Sequence, residues 1–218
     1  TFQWDPGDGS DTIEGGDGND KLVFNGSAAN EIYDISANGS RVRFTRNVGN
    51  VVMDLNGVEE FDVRMLGGTD TFIANDLTGT DATTINVRLA GTVGGMTGDS
   101  AADNIIVNGT NGEDTIFVFG NANGVTVMGL FALVNIYNAE PANDRLTVNA
   151  LAGDDVVDAT GLQATGILLT ADGGDDDDVL LGGDGPDTLL GGNGDDVLIG
   201  GPGLDILDGG PGDNVVIQ

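Results

Sequence analysis

The sequence contains no cysteine and no histidine. Without cysteine, the chain has no disulfide and no thiolate for catalysis or metal binding. Without histidine, it lacks the most common general base and the most common transition-metal ligand. Any metal site in this chain must therefore be built from oxygen ligands, which are the ligands that calcium prefers.

Basic residues are scarce, with 7 lysines and arginines against 36 aspartates and glutamates and a formal charge of −29. From Leu146 onward there is no basic residue. Such a surface repels nucleic acid and anionic membranes and attracts cations. No apolar run approaches the ~20 residues of a membrane-spanning helix, so no span is expected. Acidity is also typical of disordered chains, but apolar β-branched residues recur regularly between the acids and argue against disorder.

Glycine is abundant, at 38 residues, and Asn-Gly and Gly-Asp pairs mark turns at short intervals. Short strand candidates lie between these turns, for example at 51–55, 84–89, 104–108 and 145–149. No window has the 3.6-residue periodicity of an amphipathic helix. These patterns predict an all-β protein.

The clearest pattern is a nine-residue repeat from Gly173 to Gln218. Five units in register open with Gly-Gly, carry an acid or its amide at position six and an apolar residue at position eight. The position-six residues are Asp178, Asp187, Asp196, Asp205 and Asn214. Two further units, 6–14 and 15–23, carry Asp11 and Asp20 at position six. Glycine suits turns that need positive φ and carbonyls facing inward, and these carbonyls and carboxylates are hard oxygen ligands.

Over 6–23 and 173–217 these residues resemble the RTX (repeats-in-toxin) calcium-binding nonapeptide of secreted Gram-negative proteins. The resemblance implies a right-handed parallel β-roll or β-helix solenoid in which two units form one coil. It also implies that each calcium ion lies between turns two repeats apart. The lower turn would give the carbonyls of positions two and four and the position-six carboxylate. The upper turn would give the carbonyls of positions one and three and its own position-six side chain.

Carried over by position, the resemblance implies three calcium sites; no catalytic residue is predicted, because histidine and a nucleophile motif are missing. The first would use Gly174, Asp176 and Asp178 with Gly191, Asn193 and Asp196. The second would use Gly183, Gly185 and Asp187 with Gly200, Pro202 and Asp205. The third would use Gly192, Gly194 and Asp196 with Gly209, Pro211 and Asn214. We expect the third site to be the weakest, because an amide replaces its last carboxylate. Asp11 and Asp20 are further candidate ligands, and the segment 25–31 is the candidate to stack on them and complete their sites.

The segment between the repeat blocks is a duplication at an offset of 83 to 85 residues. We therefore predict N-terminal nonapeptides at 1–23, degenerate β modules at 24–97 and 98–172, and a C-terminal β-roll at 173–218, in one continuous solenoid. Each module contains a predicted β-hairpin around an Asn-Gly turn, either projecting from the solenoid or pairing along its side.

Two sets of charged residues in this segment are expected to be solvated. Asp70, Asp114 and Asp155 follow a Gly-x-Asp-x-apolar remnant of the repeat and are interpreted as solvated turn caps. Arg41, Arg43 and Arg46 are interpreted as a solvated hairpin strand.

The predicted function is a calcium-binding and calcium-folded solenoid section of a secreted or cell-surface bacterial protein, with a structural or adhesive role and no enzymatic activity. A polysaccharide lyase or epimerase and an ice-binding solenoid are the alternatives. Against an enzyme stands the lack of histidine and of a nucleophile motif; against ice binding stands the scattered threonine. Calcium is the expected partner, and self-association through the solenoid ends is a further prediction.

Overall fold

The computed structural model describes all residues from Thr1 to Gln218. It contains 21 strands and no helix, so no helix long and apolar enough to cross a membrane is present. The strands are β1 (Phe2–Trp4), β2 (Thr12–Glu14), β3 (Lys21–Ser27), β4 (Ile32–Asn38), β5 (Arg41–Arg46), β6 (Val51–Asn56), β7 (Glu60–Leu66), β8 (Thr71–Ala74), β9 (Thr84–Arg88), β10 (Asn104–Asn108), β11 (Thr115–Asn121), β12 (Gly124–Met128), β13 (Leu133–Tyr137), β14 (Arg145–Ala152), β15 (Val156–Leu162), β16 (Leu168–Asp175), β17 (Val179–Leu181), β18 (Thr188–Asn193), β19 (Val197–Ile199), β20 (Ile206–Asp208) and β21 (Val215–Ile217).

The strands form two sheets, and the chain passes repeatedly from one to the other. The first sheet has 11 strands in the order β1-β3-β7-β9-β13-β12-β11-β15-β17-β19-β21. The second has 10 strands in the order β2-β6-β5-β4-β8-β10-β14-β16-β18-β20. Most neighbours are parallel, and within the C-terminal block partners lie 18 residues apart, as in Val179 with Val197. Two nonapeptides therefore make one coil, and the predicted all-β solenoid of parallel strands is confirmed.

Antiparallel pairing between strands occurs in two places, and both contain a predicted hairpin. β4 pairs antiparallel with β5, and β11 with β12. In each case a third antiparallel strand follows, β6 or β13, which was not predicted to pair in this way. Both three-stranded meanders lie within the sheets of the solenoid, which answers the question that the sequence left open.

The two modules have the same topology, but on opposite sheets. Strands β3 to β9 of the first module correspond in order to β10 to β16 of the second. Each of these strands lies in the opposite sheet from its counterpart. The first meander belongs to the second sheet and the second meander to the first. Each module passes between the sheets an odd number of times, so its copy starts on the other side.

A single apolar core of 42 buried residues lies between the sheets. At its N-terminal end Trp4 stacks on Phe24 with ring centroids 4.0 Å apart. The repeat block from Gly173 onward contributes only Leu180, Leu189 and Leu198 to this core. The core is therefore thick in the modules and reduced to one leucine per half coil in the nonapeptides.

Candidate metal centre

The nonapeptide turns have a backbone that only glycine adopts easily. At positions two and four of the repeat, Gly174, Gly192, Gly185 and Gly194 have φ values of 113°, 110°, 125° and 152°. A Cβ on Gly192 would overlap the carbonyl of Gly174 in the turn below, and a Cβ on Gly194 would overlap the carbonyl of Asp176. The carbonyls of positions two and four therefore point up the stack, towards the next turn.

Carbonyls of the upper turn point down into the same gap. The Pro202 carbonyl accepts a hydrogen bond from the N–H of Gly185 at 2.7 Å, and that of Pro211 accepts from Gly194 at 3.1 Å. A Cβ on Gly173 would lie 2.6 Å from the carbonyl oxygen of Gly191. Upward and downward carbonyls thus meet between stacked turns, as the resemblance implied.

In the turns that precede strands of the first sheet, the position-six side chains connect each turn to the next. The backbone N–H of each residue donates to the side-chain oxygen of the next, at 2.6, 2.9, 2.9 and 2.7 Å in order. We call this row the first ladder; its members are Asp114, Asp155, Asp178, Asp196 and Asn214. A carboxylate that accepts a backbone N–H in this way is held in one orientation.

The remaining carboxylate oxygens of this ladder carry the argument for a cation. Asp178 and Asp196 are 1% and 0% exposed, and the Oδ2 atom of each is buried without any hydrogen-bond donor. A buried carboxylate oxygen without a partner is energetically costly. A cation surrounded by these oxygens and the nearby carbonyls would remove that cost, so the residues present fit calcium.

The raised pKa values of Asp178 and Asp187 likewise indicate that no positively charged group lies near their carboxylates. Burial raises the pKa of Asp178 to about 7, and the charges of Asp155 and Asp196 add to the effect. Burial likewise raises the pKa of Asp187 to about 6, with Asp205 as the neighbouring charge. No three acidic side chains form a metal site by themselves, so any ion here depends on backbone carbonyls as well.

The three predicted sites differ in how their oxygens are occupied. The first site has the bare Oδ2 of Asp178. In the second, Asp187 accepts from the N–H of Gly183 through Oδ2 at 2.8 Å, and its own N–H donates to Asp205 at 2.9 Å. In the third, Asp196 has a bare oxygen, but the Nδ2 of Asn214 donates to the Gly210 carbonyl. The first site therefore offers the most complete set of free oxygens.

The other predicted ligands are placed as follows. Asn193 lies exposed at the end of β18, and its Nδ2 donates to Asp175 at 2.7 Å. The carbonyl of Gly200 lies against Gly182, and that of Gly209 lies 2.7 Å from a Cβ placed on Gly191. The carbonyl of Gly183 faces Gly201 in the turn above it.

The N-terminal candidates are not brought together. Asp11 is exposed before β2, and its carbonyl accepts from the N–H of Asp54. Asp20 is half-buried, and its N–H donates to Glu59 at 2.6 Å. The turn of Glu59, and not the segment 25–31, therefore stacks on Asp20. Asp11 precedes β2 in the second sheet, whereas Asp20 precedes β3 in the first.

A second ladder, not predicted from the sequence, runs along the other sheet in the modules. The backbone N–H groups of Glu31, Asp70 and Asp103 each donate to the carboxylate of the next member, at 2.7, 2.9 and 3.0 Å. Its last member is Asp144. Burial raises the pKa of Asp70 to about 8 and that of Asp103 to about 7.

The expectation that Asp70 and Asp155 are solvated turn caps was wrong. Both are 1% exposed, and the Oδ2 atom of each is buried without a donor, as in Asp178 and Asp196. Asp114 is half-buried, and its Oδ2 accepts from the N–H and the hydroxyl of Thr110. The Gly-x-Asp-x-apolar remnant was the available signal, and it marks ladder positions.

The expectation of a solvated arginine strand was also wrong in part. Arg43 is exposed, but Arg46 is 5% exposed and pairs with the buried carboxylate of Glu31. Arg41 is half-buried and bonds to Asp54 at 2.7 Å. At the head of the second ladder, an arginine therefore supplies the positive charge that the carboxylates of the first ladder lack.

Comparison with known proteins agrees with the repeat geometry. A family model of the RTX calcium-binding nonapeptide repeat (4 copies) matches residues 7–27, 172–205 and 181–216. These matches confirm that the chain contains RTX calcium-binding repeats, which bind calcium as a structural ligand, and they leave all of 28–171 unmatched. No curated protein and no solved structure matches the chain.

Proposed function

We propose that this chain is a calcium-folded solenoid section of a secreted or cell-surface bacterial protein, with a structural or adhesive role. The observation that carries the proposal is the pair of buried, donor-free oxygens on Asp178 and Asp196. RTX repeats are typical of secreted proteins. Calcium affinities of extracellular modules, roughly 10⁻⁴ to 10⁻³ M, match calcium levels outside cells.

Metal binding is coupled to folding in this proposal. Five carboxylates lie between Asp172 and Asp178, and the repeat block has no basic residue to neutralise them. Because the stacked turns do not exist in the unfolded chain, binding free energy becomes folding free energy. Calcium therefore holds the turns together where the core is only one leucine thick.

A non-enzymatic role is supported by where the unusual carboxylates lie. The aspartates with the most strongly raised pKa values, Asp70, Asp103 and Asp178, are at most 3% exposed. A substrate cannot reach groups buried to this extent. Their common role is to hold turns in register.

Self-association through the solenoid ends is part of the same proposal. β21 is an edge strand, and Val215, Val216 and Ile217 are 50%, 47% and 49% exposed. An exposed apolar edge is able to pair with another strand. Light scattering with and without calcium measures the assembly.

The test of the proposal is far-UV circular dichroism of the full chain, first in a chelator and then at millimolar calcium. We expect a cooperative gain of β signal with calcium. Magnesium at the same concentration is the control for ionic screening, because it prefers a smaller octahedral site. A spectrum that is identical in chelator and in calcium would refute calcium-dependent folding.

A further inference from the structure

A turn outside the matched repeats has the backbone of a nonapeptide. Residues 150–158 place Leu151 at position two, Gly153 at position four and Asp155 at position six. Leu151 has φ 87° and Gly153 has φ 114°, so both are left-handed, as the glycines of the repeat are. A left-handed leucine costs about 1–2 kcal/mol, and the fold keeps this conformation nevertheless.

This turn stacks on the first C-terminal unit, 173–181, as the repeats stack on one another. The N–H of Asp155 donates to Asp178 at 2.9 Å, the same distance as from Asp178 to Asp196. The N–H of Gly153 donates to the carbonyl of Asp175 at 3.2 Å, which matches Gly194 and Pro211 at 3.1 Å. A Cβ on Gly174 would overlap the carbonyl of Leu151.

The carboxylate of Asp155 has one oxygen without a hydrogen-bond donor, as do the carboxylates of Asp178 and Asp196 in the repeats. Its Oδ1 accepts the N–H of Asp114 at 2.6 Å, whereas its Oδ2 is buried without a donor. The residue is 1% exposed, so bulk water cannot donate a hydrogen bond to Oδ2. The carbonyl of Leu151, at position two of the lower turn, and that of Asp175, at position three of the upper turn, both face the gap between the two turns.

The charges around the turn favour a cation as the missing partner. Asp154, Asp176 and Asp177 lie in the two stacked turns, exposed at their rim. None of the ion pairs of the molecule involves either turn. Hard oxygen atoms with negative charge and no nitrogen or sulfur donor form a calcium-type set.

We infer that Asp155 is a ligand of a further calcium ion, held between unit 150–158 and unit 173–181. This inference depends on the proposed function, because it assumes that the nonapeptide turns bind calcium. The ion would lie at the junction of the second module and the repeat block. It would join the metal-dependent block to the section that is held by its apolar core.

The test counts calcium ions bound per full-length chain, by equilibrium dialysis and elemental analysis, for the wild type and for Asp155→Asn. The asparagine keeps the Oδ1 acceptor, as Asn214 does in the ladder, and removes the anionic oxygen. We expect the variant to bind one ion fewer. Asp154→Asn is the matched control: it removes the same charge from an exposed neighbour in the same turn and should leave the count unchanged.

The outcomes separate the two claims. No calcium on the wild type contradicts the proposed function itself. If the wild type binds calcium and Asp155→Asn binds as many ions as the wild type, or if both variants lose an ion alike, only the Asp155 site is overturned. If Asp155→Asn does not fold, an anomalous difference map of the calcium-bound wild type decides. A peak about 2.3–2.6 Å from Asp155 Oδ2 supports the site; peaks at Asp178 and Asp196 without one at Asp155 rule it out.

Discussion

A buried aspartate of either ladder binds a backbone N–H with one oxygen, and at four positions its other oxygen has no donor. The sequence predicted two of these positions, Asp178 and Asp196, from the intact repeat. It did not predict Asp70 and Asp155, because the Gly-Gly opening is lost there. At position two of these turns Leu66 and Leu151 adopt the left-handed conformation that glycine has in the repeats, with φ 69° and 87°. Residue preferences do not predict a leucine there, so the Gly-x-Asp-x-apolar remnant was the only sequence signal, and the stacked backbone shows that it marks buried ladder positions.

Arg46 should contribute strongly to the stability of the folded chain, whereas Arg43 on the same strand should not. Arg46→Ala leaves the buried carboxylate of Glu31 without its cation, and breaking such a pair costs about 3–5 kcal/mol. Arg43→Ala, at an exposed position of β5, should change stability by no more than about 0.5 kcal/mol. Urea unfolding in calcium measures both. Equal losses in the two variants would mean that the ion pair contributes nothing.

The second ladder should make the metal-free protein less stable as the pH rises. In the folded chain the pKa is raised to about 8 for Asp70 and about 7 for Asp103, whereas both groups lose their protons near pH 4 when unfolded. Between these values the folded state binds more protons, so each group lowers the unfolding free energy by up to about 1.4 kcal/mol per pH unit. In chelator, we expect greater stability at pH 5.5 than at pH 8.

Asp70→Asn should reduce this pH dependence, and exposed Asp76→Asn, with the same change of charge, should preserve it. Urea unfolding in chelator at several pH values provides the measurement. Stability that stays level or rises between pH 5.5 and pH 8 would contradict the assignment of these shifts to burial.

At the scale of the element, short local signals were sufficient for strands and turns but not for pairing. The Asn-Gly turns identified both hairpins, and 51–55 was predicted as a strand. That β6 pairs antiparallel with β5 was not predictable, because an apolar alternation is the same for a parallel and an antiparallel neighbour. In the nonapeptides, by contrast, the spacing itself specifies which turns stack, so those site residues could be named in advance.

Stacking, rather than φ alone, should make the turn glycines irreplaceable. Gly192 and Gly16 both occupy position two with positive φ, but a Cβ overlaps the Gly174 carbonyl at the first and meets nothing within 4 Å at the second. Gly192→Ala should therefore cost about 1–3 kcal/mol more than Gly16→Ala, through overpacking.

This difference corresponds to a rise of roughly 5- to 150-fold in the equilibrium constant for unfolding. Urea titration at saturating calcium compares the two variants directly. Equal destabilisation would show that φ strain dominates and that the carbonyl stack adds little.

At the scale of the whole molecule, stability should be divided between apolar burial and metal. The repeat block from Gly173 contributes three leucines to a core of 42 residues, so the modules contain nearly all of that core. A region with so little burial has a low local free energy of unfolding. The sequence places no basic residue after Arg145, which agrees with this division, but it does not show how thin the core becomes.

Hydrogen exchange measured by mass spectrometry should therefore change unevenly when calcium is removed. Peptides from 173–218 should lose protection in chelator, whereas peptides covering β9 and β14 should retain it. The modules act as the internal control within one sample. Uniform loss of protection along the chain would show instead that calcium stabilises the solenoid as a single cooperative unit.

The exchange of sheets between the two modules has a consequence for the shape of the coil. Each meander adds two strands to one side of the solenoid, and a strand occupies about 4.8 Å along the stack. Because the meanders lie on opposite sheets, the two sides end with 11 and 10 strands and nearly equal length. With both meanders on one side, the difference would be three or five strands, about 14 or 24 Å, and the solenoid would have to bend. An odd number of passes per module thus balances the lengths of the two sides of the solenoid.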